Sequence, residues 1–188
     1  MANGTLKVEN IQTSSGSGTI TIGQSGETVS FPTGVSLTGN GISNRPSFAA
    51  FLDSNYTLAS GTRTLVPFDV VQFNNDNCYD TSTYKFTAPS AGQYVFLAQV
   101  WIDDTDAGDY NQVWLYKNGS RDFSISGTKR FLGQKYTSSG NISLTTNVNA
   151  ILDLEKDDYI QVYAAHNQGA SQAMTDDYNF FMGYKLIG

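Results

Sequence analysis

The chain has very little with which to build a redox, metal or nucleophile site. Its 188 residues include one cysteine, Cys78, and one histidine, His166. A single cysteine excludes an internal disulfide framework. Cys78 lies in the Asn-rich stretch from Asn74 to Asp80, where it reads as an inert small residue at a strand start, with a reactive or pairing thiol as the alternative. His166 stands at the end of a predicted strand beside Asn167 and Gln168 and reads as a rim histidine facing solvent. No Gly-x-Ser-x-Gly elbow accompanies it, so no nucleophile–base pair is indicated. One His and one Cys fall short of a zinc site. Basic residues are also scarce, 11 against 17 acidic, and the net charge of −6 repels phosphate backbones and anionic membranes. No run of 18 apolar residues reads as a membrane span, and no basic segment with an apolar run at Met1 reads as a secretory signal. Asn55, Asn118 and Asn141 open glycosylation sequons that, without such a signal, read only as polar turns.

What is plentiful is aromatic. Eleven Phe, eleven Tyr and two Trp stand against four Pro, a composition suited to strands. Phe68/Val70, Tyr84/Phe86 and Tyr94/Phe96 alternate with polar neighbours, the period of strands with one buried face. Further strands are predicted at Leu97–Ile102, Gln112–Lys117, Asn141–Leu154, Tyr159–Ala165 and Asn179–Ile187. In the second of these Val113 and Leu115 share one face, Trp114 and Tyr116 the other. Lys117–Ser120 reads as a hairpin turn, Asn55–Gly61 and Asp103–Asp109 as loops. Residues 121–140 give no strand register, and no segment reads as a helix. The expected class is all-β.

The spacing is more informative than the alternation. Phe68, Asn74, Tyr79, Phe86, Gly92, Tyr94 and Phe96 follow one another at intervals that resemble the signature of the complement 1q globular-head family, the tumour-necrosis-factor-like jelly rolls. Ala98 stands where that signature has a last aromatic. The likeness continues through Leu115–Gly119, Ala150–Leu154, Asp157-Asp158 and the terminal Phe181, Gly183 and Tyr184, with Phe48–Phe51 similar to the family's first strand. The resemblance implies a ten-stranded antiparallel jelly-roll sandwich that assembles as a homotrimer, here over residues 42–188.

Residues 1–41 are Gly/Ser/Thr-rich, with Phe31 as the only aromatic. Leu6/Val8, Ile20/Ile22, Val29/Phe31 and Val35/Leu37 alternate, so an ordered β stem that buries these edges by winding three chains together is preferred over a disordered tether. This segment resembles N-terminal segments of structural proteins of tailed bacteriophages, marine ones in particular. A thin stem before a trimeric knob implies a virion protein: a fibre or spike attached to other virion proteins, whose knob binds a host surface glycan or protein. A trimer decorating and cementing the capsid is the alternative. Neither reading involves catalysis, and no spacing selects a carboxylate pair for glycoside hydrolysis.

Candidate receptor contacts are Asp103, Asp104, Asp106, Asp109, Tyr110 and Tyr136. The four aspartates could instead hold calcium, a hard cation that takes several oxygens from a flexible loop, or form a solvated acidic loop. Tyr56, Tyr110, Tyr136 and Tyr178 fall in or near polar loops, where sugar contact, subunit contact and neither remain equal readings.

Overall fold

A computed structural model of the chain describes residues 11, 19–22, 25–33, 35, 45–122 and 131–186. The chain divides into two compact units, Met1–Leu37 and Thr38–Gly188. In the first, the described residues carry no strand, and Ile20, Ile22, Val29, Phe31 and Val35 are all exposed. The expected partners Leu6, Val8 and Leu37, and the expected boundary at residues 41 and 42, lie outside the described residues.

The second unit is a two-layer sandwich. One sheet runs in the order β10 (Ile142–Leu154), β7 (Gly92–Thr105), β13 (Phe180–Lys185), β1 (Ser47–Phe51) and β4 (Val70–Asn75), all neighbours antiparallel. The other runs β5 (Tyr79–Asp80), β6 (Lys85–Thr87), β11 (Tyr159–His166), β8 (Tyr110–Lys117) and β9 (Leu132–Tyr136). These two paths supply the ten strands expected. Three short additions lie outside them: β3 (Thr64–Leu65) on β11, and a ribbon of β2 (Tyr56–Leu58) with β12 (Gln172–Met174). One 3-10 turn, Asp176–Tyr178, is the only helical element among the described residues.

Between the sheets the signature aromatics form the core. Phe181 of β13 meets Phe48 at 4.8 Å, Phe96 at 5.9 Å, Tyr79 at 6.0 Å and Phe68 at 6.1 Å between ring centroids. Phe86 lies edge-on to Tyr94 at 5.3 Å and Phe96 at 5.0 Å. Offset and edge-to-face geometries of this kind add to what burial alone contributes. Asn74 earns its place differently. Its Oδ1 accepts from the Tyr79 N–H (3.0 Å) and its Nδ2 donates to the Tyr79 carbonyl (2.7 Å), closing a turn in which Asp76 and Asn77 take left-handed φ angles of 64° and 49°. Tyr79, fully in the core, donates its hydroxyl to the Phe68 carbonyl at 2.9 Å. Gly183 is required by close approach, since a Cβ there would stand 2.7 Å from the Phe96 ring and 2.8 Å from the Val95 carbonyl.

Several expectations are corrected. Phe68 is buried but precedes β4, and Val70 is 41% exposed, so the two do not share a buried face. Tyr84 sits in a turn at φ 55°, outside the strand that carries Phe86. Tyr56 to Leu58 form a strand inside the expected loop, because β12 pairs with them. β7 runs on through Thr105, so Asp103 and Asp104 belong to a strand and only Asp106–Asp109 is a loop. His166 is fully buried rather than facing solvent, since its parity on β11 matches Ile160, Val162 and Ala164. Cys78 is buried in the core, and burial pushes its thiol up to about 12, which fits the inert reading.

Candidate assembly face and outer rim

The middle of the outer surface of the β10-β7-β13-β1-β4 sheet is apolar, bordered by Gln99, Asn147 and Asn149, and strand register shows why. Phe73, Ala49, Met182 and Leu97 lie side by side across four strands. The adjacent outward rows hold Phe51 and Phe180, then Tyr184, Val95 and Ile151. Their neighbours in sequence (Phe48, Ala50, Phe96, Phe181) point into the core, so both sides of β1, β7 and β13 carry apolar side chains. Phe73 is 44% exposed and Ile151 61%. At one end of this face the rings of Trp101 and Tyr178 lie tilted against each other, their centroids 4.6 Å apart. A strand that is apolar on both faces is the pattern of a sheet covered on both sides. Contiguous exposed apolar surface of this kind marks an association site.

The predicted contact residues are brought together only in part. Tyr110 and Tyr136 face each other across the β8–β9 pair and make an edge-on contact at 5.8 Å, with Tyr136 the more exposed. The loop after β7 reaches them: the Gly108 N–H donates to the Thr137 carbonyl at 2.8 Å, and the Tyr110 N–H to Asn167 Oδ1 at 2.7 Å. Asp103 is set apart on β7, where its Oδ1 accepts from Trp101 Nε1 and from the Ser143 hydroxyl, both at 2.8 Å. Asp104 takes a φ of 48° at the strand end. Among the described residues no three acidic, His or Cys side chains converge as a metal site would need. Asp176 and Asp177 lie elsewhere, in the 3-10 turn.

Beneath this rim lies a buried polar cluster that the sequence reading missed. Gln168 Nε2 donates to Thr105 Oγ1 (3.1 Å) and Asn111 Oδ1 (3.2 Å), and Asn111 Nδ2 donates to Thr105 (3.0 Å). His166 Nε2 donates to the Leu58 carbonyl at 3.0 Å and its Nδ1 accepts from the Gln168 N–H at 3.4 Å. Low dielectric strengthens these bonds, while Gln168 Oε1 stays buried without a partner. The network's bonds tie the ends of β7 and β8, beside Tyr110, to the segment after β11. Asn111, on the inward parity of Val113 and Leu115, was the available signal.

The outer surface of the second sheet is different in kind. Its outward side chains on β8 and β11 include Gln112, Trp114 and Tyr116, and Tyr159, Gln161 and Tyr163. Tyr116 and Tyr163 stack at 4.0 Å, and burial followed by the neighbouring Tyr116 and Tyr159 raises the Tyr163 hydroxyl above the usual tyrosine range. Arg63 and Arg121 both lie over Trp114, at 4.8 and 5.6 Å, and Lys85 lies over Tyr159 at 4.4 Å. At the opposite end from the rim, Asp158 joins two turns. It pairs with Lys117 Nζ at 2.7 Å, accepts from Asn118 Nδ2 at 2.6 Å, and accepts from the Glu155 N–H at 2.8 Å. Burial raises its carboxyl, but Lys117, Asn118 and the Glu155 N–H together outweigh that and hold it below the usual carboxylate range. No helix among the described residues is long and apolar enough to cross a membrane.

Comparison with one solved structure agrees with this architecture. The globular domain of zebrafish complement 1qA covers 76% of this chain and 98% of its own, at a TM-score of 0.53 and 18% identity. Eiger, a tumour necrosis factor of S. frugiperda, covers 74% of this chain at a TM-score of 0.49 and 14% identity. Two proteins of Bacillus subtilis are similar in sequence. The uncharacterized protein YqcC is 24% identical over 132 residues, 66% of this chain and 35% of its own length. The phage-like element PBSX protein XkdV is 21% identical over 136 residues, 70% of this chain and 20% of its own. The chain thus spans about a third and a fifth of these two relatives. The C1q domain model matches residues 47–186, most of the chain, and the chain belongs to the C1q domain family.

Proposed function

We propose that the protein is a non-enzymatic structural protein of a bacteriophage-type particle, a homotrimer whose C1q knob recognises a host surface. The observation that carries this reading is the apolar outer face built by Phe51, Phe73, Val95, Leu97, Phe180 and Met182 in a chain similar to a phage-like element protein. C1q and tumour-necrosis-factor domains commonly form trimers. A surface of this composition, left in water, forgoes a stabilisation of roughly 25 cal/mol per Å2 that a second and third copy would recover. Three copies presented on one rigid tip also multiply a weak contact by effective concentration. Residues 1–41 would connect the knob to the particle.

Two measurements test it. The mass of the purified protein in solution should be three times that of one chain, and a stable single copy would overturn the reading. Labelled protein imaged on intact particles should mark the tail. Label over the whole head would replace the fibre by a capsid-decorating trimer, and label on no particle would remove the virion assignment.

A further inference from the structure

The second sheet's outer face holds an arrangement that neither folding nor trimer assembly requires. Trp114 is only 3% exposed although it points away from the core, because its ring lies under other side chains. Two of these are Arg63, just before β3, and Arg121, just after β8, each with its guanidinium over the same indole. Cation–π attraction holds each one. Their mutual repulsion opposes the arrangement, and little nearby charge relieves it. Arg63 makes no ion pair among the described residues, and Arg121 reaches only its neighbour Asp122, at 3.7 Å, beyond hydrogen-bond length. In a chain of net charge −6, two guanidiniums sharing one indole, with a single ion pair at 3.7 Å between them, are conspicuous. The indole N–H of Trp114 is buried without a hydrogen-bond partner as well, a state that costs free energy until an acceptor arrives.

We propose that this face is a binding site for an acidic saccharide, with Arg63 and Arg121 taking its anionic group. The guanidinium fork matches carboxylate or sulfate oxygens in pairs, and Trp114 holds both forks pre-ordered, so less side-chain entropy is lost on binding. Beside Trp114, in register across β8 and β11, the stacked and half-exposed Tyr116 and Tyr163 offer ring faces and hydroxyls to a sugar. The acidic rim of Asp106 and Asp109 would repel such a ligand, which places recognition on the flank of the knob rather than on that rim. The inference rests on the host-recognition part of the reading above and names the chemical class of the receptor.

The test is calorimetric titration of the full chain with trigalacturonate, maltotriose and sodium sulfate. Trigalacturonate should bind, and raised salt should weaken it. Maltotriose should bind at least about tenfold more weakly, since a hydrogen bond to a charged group is worth roughly ten- to a hundredfold. Arg63→Gln and Arg121→Gln should each lose about tenfold or more, while Lys85→Gln on the same sheet should change affinity less than about threefold. Circular dichroism of each variant verifies the fold, and the salt dependence of the unaltered chain provides a readout that needs no variant. Equal binding of maltotriose, unchanged affinity in both arginine variants, or no binding of any saccharide would overturn the proposal. Sulfate binding as tightly as trigalacturonate would reduce it to an anion site and overturn its saccharide part. Should the saccharide fail while the chain remains trimeric and on particles, this inference falls and the virion reading stands.

Discussion

The two outer faces of the sandwich are both rich in large side chains, yet they are built to opposite ends. On the β10-β7-β13-β1-β4 face the rings and aliphatic chains of Phe51, Phe73, Leu97, Phe180 and Met182 lie together across β4, β1, β13 and β7, and the polar Gln99, Asn147 and Asn149 border them. On the β8–β11 face the aromatics are Tyr and Trp, interleaved with Gln112, Gln134 and Gln161 and covered by Arg63, Arg121 and Lys85. Phe, Leu and Met gain only by leaving water, whereas Tyr, Gln and Arg keep polar groups that water or a ligand can satisfy. One face therefore favours burial away from water, as the proposed trimer would supply, and the other favours reversible contact. Aromatic content alone does not distinguish the two; the intervening polar groups do.

The sharpest way to break that contrast is to place a charge on each face in turn. In the proposed trimer, Leu97→Asp, at the centre of the apolar rows, should reduce the assembly to single chains of 20.4 kDa in light scattering, with an unchanged dichroism spectrum. Gln112→Glu on the other sheet should leave the mass at three chains. Equal loss from both would end the distinction. The next largest effect separates neighbours in sequence. Phe181→Ala, which empties a site touching Phe48, Phe68, Tyr79 and Phe96, should cost about 3–5 kcal/mol in denaturant unfolding. Phe180→Ala, directed outward beside Phe51, should cost the isolated chain about 1 kcal/mol or less while weakening assembly.

How much of this was written in the sequence depends on whether the cause is local. The opposed faces of Val113/Leu115 and Trp114/Tyr116 follow from strand parity and are as expected. The Phe68-to-Phe96 spacing carried the fold because each position has a distinct mechanical duty, as Asn74 shows in clasping Tyr79. Parity also contained the burial of His166, but its polar neighbours Asn167 and Gln168 suggested a rim, and the buried network that includes Gln168 lay out of sight. Asp103 and Asp104 looked like a loop because their composition is that of a turn. β10 nonetheless pairs with β7 as far as Thr105 opposite Ile142, so a distant partner, not local composition, sets the strand's length. The pair of arginines over Trp114 had no sequence signature, since Arg63 comes 51 positions before Trp114.

A smaller effect tests the end of the sandwich that both sheets share. Asp158 is held below the usual carboxylate range by Lys117, Asn118 and the Glu155 N–H against the cost of burial. Its folded-state value is lower than its unfolded one, so its contribution is complete above about pH 4 and disappears as pH falls through the folded value. Asp80 acts in the same direction. The Ser82 and Thr83 hydroxyls and the Ser82 N–H bring it to about 2, which extends the window down to about pH 2. Thermal melts should therefore lose stability between about pH 4 and pH 2. Asp158→Asn should remove much of that slope at a cost of roughly 1 kcal/mol at neutral pH, and an unchanged slope would show that the clasp contributes little.

The smallest signal expected concerns Cys78, and it asks whether the core between the faces stays closed. The thiol is buried with Phe86, Phe96 and Phe181 in one cluster, and burial, opposed by its own backbone hydrogen bond, pushes it up to about 12. At pH 8 the thiolate fraction is then about one in ten thousand, and the sulfur is covered as well. A thiol reagent at pH 8 should therefore label the native protein at a negligible rate and label it fully in guanidinium. Because only opening of the sandwich exposes Cys78, the labelling rate measures how often the two sheets part. If Leu97→Asp opened the core as well as dissociating the assembly, that rate would rise with it. A rate unchanged from the parent would confine the substitution to the outer face, and so keep the two effects separate.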